Sequence, residues 1–189
     1  QEAVPDGKGL MAAILGLERA QGDGICASVK SGYVSSANYN SPGQIVIAGE
    51  RPAVEEAMNL AKEAGAKRAL PLAVSVPSHC QMMSPASERL SGLLNTLEFH
   101  APHVPIINNA DAKILNDPDE IKDSLVRQLN SPLLWEDTVK LMVKNGVDMI
   151  IEVGPKNVLT GLIKRIDKDV RTLNAGDAKG IDEAIGLSS

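Results

Sequence analysis

A change of apolar rhythm, repeated in a fixed order between Lys8 and Val76, constrains the fold more than any other feature of the chain. Lys8 to Leu15 is an apolar run that opens after a Gly-rich turn, which predicts a strand. Leu17 to Lys30 has weaker helical spacing, interrupted by Gly22 and Gly24. Tyr33 to Asn38 alternates as a strand does, and Asn40-Ser41-Pro42-Gly43 is a turn signal before the β-branched run Gln44 to Ala48. Pro52 to Ala64 then puts Val54, Ala57, Met58 and Ala61 at helical spacing, with Gly65 as the stop. Arg68 to Val76 reads as a fourth strand. The order β-α-β-β-α-β is that of the ferredoxin-like split unit, which we place at residues 8–76.

The rest of the chain alternates differently. Pro85 to Leu97 sets Leu90, Leu93, Leu94 and Leu97 on one helical face, and Val104 to Asn108 reads as a short strand. Pro118 to Leu129 is a predicted helix with Asp117 as its cap and Ile121, Leu125 and Val126 facing inward. Trp135 to Lys144 is another, closed by Asn145-Gly146. Met149 to Val153 is almost wholly apolar, the pattern of a buried parallel strand. Gly154-Pro155 turns it into a helix from Val158 to Ile166, followed by a strand at Val170 to Leu173 and a short helix at Ile181 to Ile185. Strands alternating with helices mark an α/β chain with a parallel layer. The strands are too few for a complete doubly wound sheet. The chain also opens at Gln1 without an initiating Met, and reads as starting in the middle of something larger.

Composition narrows the function classes. Aromatic residues are 2% of the chain, namely Tyr33, Tyr39, Phe99 and Trp135, so the core must come from Ala, Val, Ile, Leu and Met. So few stacking platforms, with a net charge of −5, argue against a nucleic-acid partner. No apolar run reaches the roughly 18 residues of a membrane span, and no signal-peptide pattern is visible. Cys26 and Cys80 lie outside any CxxC motif, which argues against a disulfide framework or a zinc site. We expect reduced thiols in a cytoplasmic protein without a metal.

His79 is the first residue to weigh for chemistry. It follows the apolar run Leu72 to Val76 through Pro77-Ser78, and a histidine just past a strand end is held yet exposed, as a general base must be. A plain surface-loop histidine fits the same pattern. Ser78 and Cys80 flank it, but adjacent side chains of an extended segment point to opposite faces, so neither easily reaches its imidazole. No GxSxG elbow occurs in the chain. His100 and His103, around Pro102, match no metal-ligand spacing and read as solvated. Asn108-Asn109 could be a polar wall or turn residues. Gly154-Pro155 could open an anion site at a helix N-terminus or be ordinary turn chemistry.

Several segments in order resemble bacterial malonyl-CoA:acyl-carrier-protein transacylases: residues 38–49 (NYNSPGQIVIAG), 64–72 (AGAKRALPL) and 74–80 (VSVPSHC) in the first half, then 126–129 (VRQL), 131–132 (SP), 152–155 (EVGP) and 158–162 (VLTGL). The opening residues 1–5 (QEAVP) also fit, as the tail of a helix. The resemblance implies an α/β-hydrolase-like large domain, incomplete here, with a ferredoxin-like insertion. It divides the chain into residues 1–7, the tail of a preceding helix; 8–76, the ferredoxin-like subdomain; and 77–189, the rest of the acyltransferase domain. It implies ping-pong transfer of malonyl in fatty-acid synthesis, from coenzyme A to a family Ser and then to the phosphopantetheine thiol of acyl carrier protein, with no permanently bound cofactor. That Ser, in a GHSLG-type elbow, and an Arg that holds the malonyl carboxylate precede residues 1–5 in the family, so the N-terminal part of the enzyme is itself an expected partner. His79 carries over as base and acid, Gln128 as the residue whose backbone carbonyl orients it, and Asn40 as a position near the substrate cleft. An acidic carrier protein would meet basic residues, for which Lys67-Arg68 and Lys164-Arg165 are candidates; the commoner reading of both pairs is solvated charge, with the helix dipole favouring the second. The alternative to an enzyme is a non-enzymatic module that binds carrier protein or another partner.

Overall fold

The computed structural model of the chain describes residues 2–74 and 76–187, which fall into two compact units, 1–135 and 136–189. Ser75, inside the predicted fourth strand and the 74–80 segment, lies outside the described residues, as does Gln1.

The first unit is built on a four-stranded antiparallel sheet of β1 (Gly9–Leu15), β2 (Val34–Ser41), β3 (Gln44–Glu50) and β4 (Arg68–Pro71), in the order β2-β3-β1-β4. Helices α1 (Arg19–Ser28) and α2 (Arg51–Glu63) complete the β-α-β-β-α-β order read from the sequence. Alternation decides the faces. Leu10, Ala12 and Ile14 of β1 join Ile45 and Ile47 of β3 and Ala53, Val54, Ala57 and Ala61 of α2 in one core. Met11, Val46, Ala48 and Ala37 point to the opposite face, where they bury Cys80. The sheet is thus covered by helices on one side and by the segment carrying Cys80 on the other. The β2–β3 hairpin closes on Pro42-Gly43, with Ser41 opposite Gln44 and Gly43 at φ 70°, the conformation that favours glycine at the third turn position.

β4 is shorter than the predicted run to Val76. Pro71 has no N–H to donate to a ladder. Among the described residues, one further bond to the sheet, from Leu72 N–H to Met11 O at 2.8 Å, follows Pro71. The residues around Cys80 then cross the second face.

The rest of this unit holds α3 (Ser84–Leu94), a small hairpin of β5 (Ile106–Ile107) and β6 (Ile114–Leu115), and α4 (Pro118–Gln128). Asp117 caps α4, accepting from the N–H groups of Asp119 and Glu120 at 2.9 and 3.0 Å. The predicted strand Val104 to Asn108 is reduced to β5, which pairs antiparallel with β6 and joins no parallel layer. The predicted apolar face of α3 is only partly inward: Leu94 is buried, while Leu93 and Leu97 are exposed.

Beyond α5 (Trp135–Lys144), the second unit places β7 (Met149–Val153) parallel to β8 (Arg171–Ala175) through the crossover helix α6 (Val158–Ile166), with α7 (Ala178–Gly186) against β8. This is α/β architecture. The expectation that Met149 to Val153 is buried does not hold: Val153 is 82% exposed and Ile151 39%. β7 pairs with β8 on one side, and among the described residues no strand pairs with its other edge.

Candidate active site

Two fully buried neighbours hold His79 in place. Pro77 seats against β1 where Gly9 leaves room; a Cβ on Gly9 would lie 2.4 Å from the proline Cδ. Cys80 is 1% exposed in the second core, and its Sγ–H donates to Pro77 O at 3.1 Å. Between these anchors the half-buried His79 adopts φ 62°, a left-handed conformation in which histidine is several-fold enriched among non-glycine residues. Such a backbone costs about 1–3 kcal/mol and persists where its surroundings over-determine it.

The surroundings are the C-terminal end of α4. His79 donates its backbone N–H to Leu129 O at 3.1 Å, and its ring Nδ1 lies 2.8 Å from Gln128 O. A carbonyl oxygen only accepts, so Nδ1 carries the hydrogen, and in the neutral ring Nε2 is left with its lone pair free. Helix ends leave their last carbonyls without intrahelical partners. Here three of them are taken: Val126 O accepts from Ser87 Oγ at 2.8 Å, and Gln128 O and Leu129 O accept from His79. The chain then pairs with the sheet edge, where Leu133 N–H donates to Ala37 O and Tyr39 N–H to Leu133 O, at 2.8 and 2.9 Å. One segment, 128–134, therefore binds both the histidine loop and β2.

The β5–β6 turn supports that segment. Arg127 contacts both carboxylate oxygens of Asp111 through one guanidinium nitrogen at 2.7 Å, and its Nε donates to Asp123 at 2.7 Å. The Arg127 hydrogen bond holds the Asp111 carboxyl below the usual carboxylate range, and Asp111 in turn pushes Arg127 further up. Asn108, 6% exposed, donates to Asp111 at 2.7 Å and accepts from Lys113 N–H at 2.9 Å, which makes it a turn residue. Asn109 instead donates to Gln128 Oε1 at 3.1 Å. Sequence reasoning left this pair undivided, and it missed Asp111, Arg127 and Ser87, whose roles depend on partners remote in the chain.

Asn40 is half-buried on β2, at the register shift between Tyr39 and Ser41. Burial pushes the thiols of both Cys80 and Cys26 up, the latter to about 11, so neither is a ready thiolate. His100 and His103 are exposed. The N-terminus of α6, after Gly154-Pro155, is filled by the chain itself: Glu152 accepts from Leu159 N–H at 3.0 Å and Thr160 N–H at 2.8 Å. Burial opposes that charge, but the hydrogen bonds, the Thr160 amide first, hold the Glu152 carboxyl below its ordinary range. Lys67 and Arg68 are exposed at the end of β1 that pairs Leu15 with Arg68, whereas Pro77 abuts Gly9 at the other end, about 20 Å away along the strand. Lys164 and Arg165 are exposed in the last turn of α6. Among the described residues no three His, Cys, Asp or Glu side chains gather to hold a metal, and no helix is long and apolar enough to cross a membrane.

Comparison with known proteins gives one consistent result. The family described as acyl transferase domain matches residues 6–179. The malonyl CoA-acyl carrier protein transacylase of Escherichia coli K12 is 53% identical over 176 residues, which are 93% of this chain and 56% of that protein. An acyl carrier protein S-malonyltransferase from Vibrio cholerae superposes with a TM-score of 0.94 at 51% identity, over 97% of this chain and 60% of the other. A holo complex of a type II PKS acyl-carrier protein with its malonyl-transacylase matches with a TM-score of 0.96 at 47% identity, covering 99% and 61%. The chain thus spans about three fifths of the length of the relatives it matches.

Proposed function

The chain belongs to the acyl transferase domain family, and from that premise we propose that it serves malonyl transfer from coenzyme A to the phosphopantetheine thiol of acyl carrier protein, in cytoplasmic fatty-acid synthesis. The observation that carries the reading is the 2.8 Å contact between His79 Nδ1 and Gln128 O. It fixes the tautomer in which Nε2 can take a proton, the task an Asp performs in other triads.

The nucleophile is a Ser in the part of the enzyme outside these residues. As its Oγ attacks the malonyl thioester carbonyl, its proton passes to His79 Nε2. The tetrahedral centre collapses, the C–S bond breaks, and the imidazolium protonates the departing coenzyme A sulfur. In the second half the pantetheine thiol gives its proton to the same nitrogen, its sulfur attacks the seryl ester, and the proton returns to the Ser oxygen. The role of Gln128 lies in its main chain. Asn40 belongs on the substrate side of the cleft, and the division at residue 76 follows the family's insertion.

Replacing His79 by Ala in the full-length enzyme should cost about 10²–10⁴-fold in transfer. Near-normal transfer by that variant would sink the assignment. The 189-residue chain by itself should form no malonyl ester; a stable ester acquired from malonyl-CoA would equally refute the reading. A module that only binds carrier protein would do so without regard to His79.

A further inference from the structure

We propose that Asp111 and Arg127 are positioning residues for His79: their ion pair, together with the Asn109–Gln128 hydrogen bond, fixes the end of α4 that offers Gln128 O and Leu129 O to the histidine. The inference rests on His79 being the base.

Both acceptors of His79 are main-chain carbonyls at a helix end, where helices fray. The imidazole can be no better placed than they are. A carbonyl cannot be removed by substitution, so whatever controls it must act through the backbone around residues 126–129. Three side-chain bridges reach that turn from outside α4. Ser87 takes Val126 O. Asn109 reaches the Gln128 side chain. Asp111 takes Arg127, the residue that directly precedes Gln128.

The Asp111 end of the pair is itself immobilised. Its second partner, Asn108, is buried and closes on Lys113 by bonds in both directions, through Lys113 N–H to the Asn108 side chain and Asn108 N–H to Lys113 O. Leu134 N–H donates to Asn109 O at 2.8 Å, so the same turn also grips the chain beyond α4. The turn from 108 to 113 is thus braced against α4 on one side and the following segment on the other. An exposed ion pair adds little stability by itself. This one is shaped to set a position: Arg127 is 41% exposed and Asp111 27%, yet every contact is at 2.7 Å and Arg127 is also held by Asp123. A misplacement of about 1 Å at a reacting group can cost on the order of 100-fold in rate.

The test uses the full-length enzyme with Asp111→Asn and Arg127→Lys, alongside Asp111→Ala, with His79→Ala as reference. Three quantities are read: kcat against KM for malonyl-CoA, the thermal midpoint, and the downfield proton resonance of His79 Nδ1–H with its rate of exchange with solvent. In Asp111→Asn, kcat should fall about 10-fold or more while KM stays within about twofold, and the Nδ1 proton should exchange faster. Arg127→Lys, which keeps the charge and loses the planar fork, should fall between it and the parent. If Asp111→Ala does not fold, Asp111→Asn decides. A folded Asp111→Asn with parental kcat and an unchanged Nδ1 resonance overturns the inference, and so does a loss confined to the thermal midpoint. Should His79→Ala stay active, the catalytic reading fails, while the resonance in Asp111→Asn still reports whether the brace positions the ring.

Discussion

The two units of the chain treat their apolar strands in opposite ways. β3 in the first unit puts Ile45, Val46, Ile47 and Ala48 between two covered faces, with Ile47 1% exposed. β7 in the second is as apolar in sequence, yet Val153 stands 82% exposed. The difference is closure. The split β-α-β-β-α-β order returns both helices to one face of its own sheet, and the segment after β4 covers the other. A single β-α-β unit brings one crossover helix and pairs one strand edge, so it leaves apolar surface that its own residues do not cover. Apolar runs alone do not tell a strand in a finished layer from one in an open pair.

Substitutions can break or sharpen this contrast. The largest stability effect should come from Ile47→Ala, which removes buried methyl groups from a closed core and should cost about 2–5 kcal/mol. Val153→Ala in the same 189-residue chain should stay within about 0.5 kcal/mol. Urea unfolding compares the two, and equal losses would end the distinction. In the full-length enzyme, a larger cost for Val153→Ala would show that the remaining sequence covers β7.

Next in size is a response of the first unit to alkali. The Cys26 thiol is raised from 9.0 to about 11 by burial, so its contribution to stability is complete below pH 9 and fades as pH rises towards 11. Two units correspond to about 2–3 kcal/mol, as an order of magnitude. Cys26→Ala should flatten the fall in stability between pH 9 and 11, leaving the part due to Tyr39, which burial and Asp23 also raise. An unchanged slope would contradict the burial of the thiol.

The second unit should respond to acid instead. The Glu152 carboxyl is held down, so its stabilisation is present above the ordinary carboxylate value and lost as pH falls through its lowered one. Glu152→Gln should cost about 1 kcal/mol near neutrality, as the loss of a helix cap does. Its unfolding curves should converge with the parent's as pH falls through that lowered value. The smallest effect belongs to the surface. Reversing Lys67-Arg68 or Lys164-Arg165 in the full-length enzyme should slow carrier-protein transfer a few-fold at low salt and less at high salt, with hydrolysis of the malonyl-enzyme little changed. Unaltered kinetics from both reversals would put docking elsewhere.

What the sequence revealed follows the same line. The β2–β3 hairpin was readable because Pro42-Gly43 encodes its own turn, and β7 and α6 because their periodicity is local. β5 and β6 pair over two residues each, too few to leave an alternating signature. His79 stood out as a histidine past a strand end, but its carbonyl partner entered only through family resemblance, since nothing in residues 126–129 announces which carbonyl meets a ring. The brace of Asp111 and Arg127 spans 16 residues and was invisible to periodicity for that reason.

The span between His79 and Gln128, 49 residues, also has a meaning in time. A ribosome adding about 5–20 residues per second needs several seconds to make that stretch. Until then the histidine has neither of its α4 carbonyl acceptors, and its ring is free to exchange tautomers with water. Closing a loop of this length costs entropy that the histidine's two hydrogen bonds alone do not repay, so the anchor forms only once the sheet, α4 and the strand-edge contact at Leu133 are in place. The anchored histidine is therefore a late product of folding. A nascent chain halted before residue 128 can complete its ferredoxin-like sheet and still carry a histidine with no assigned proton.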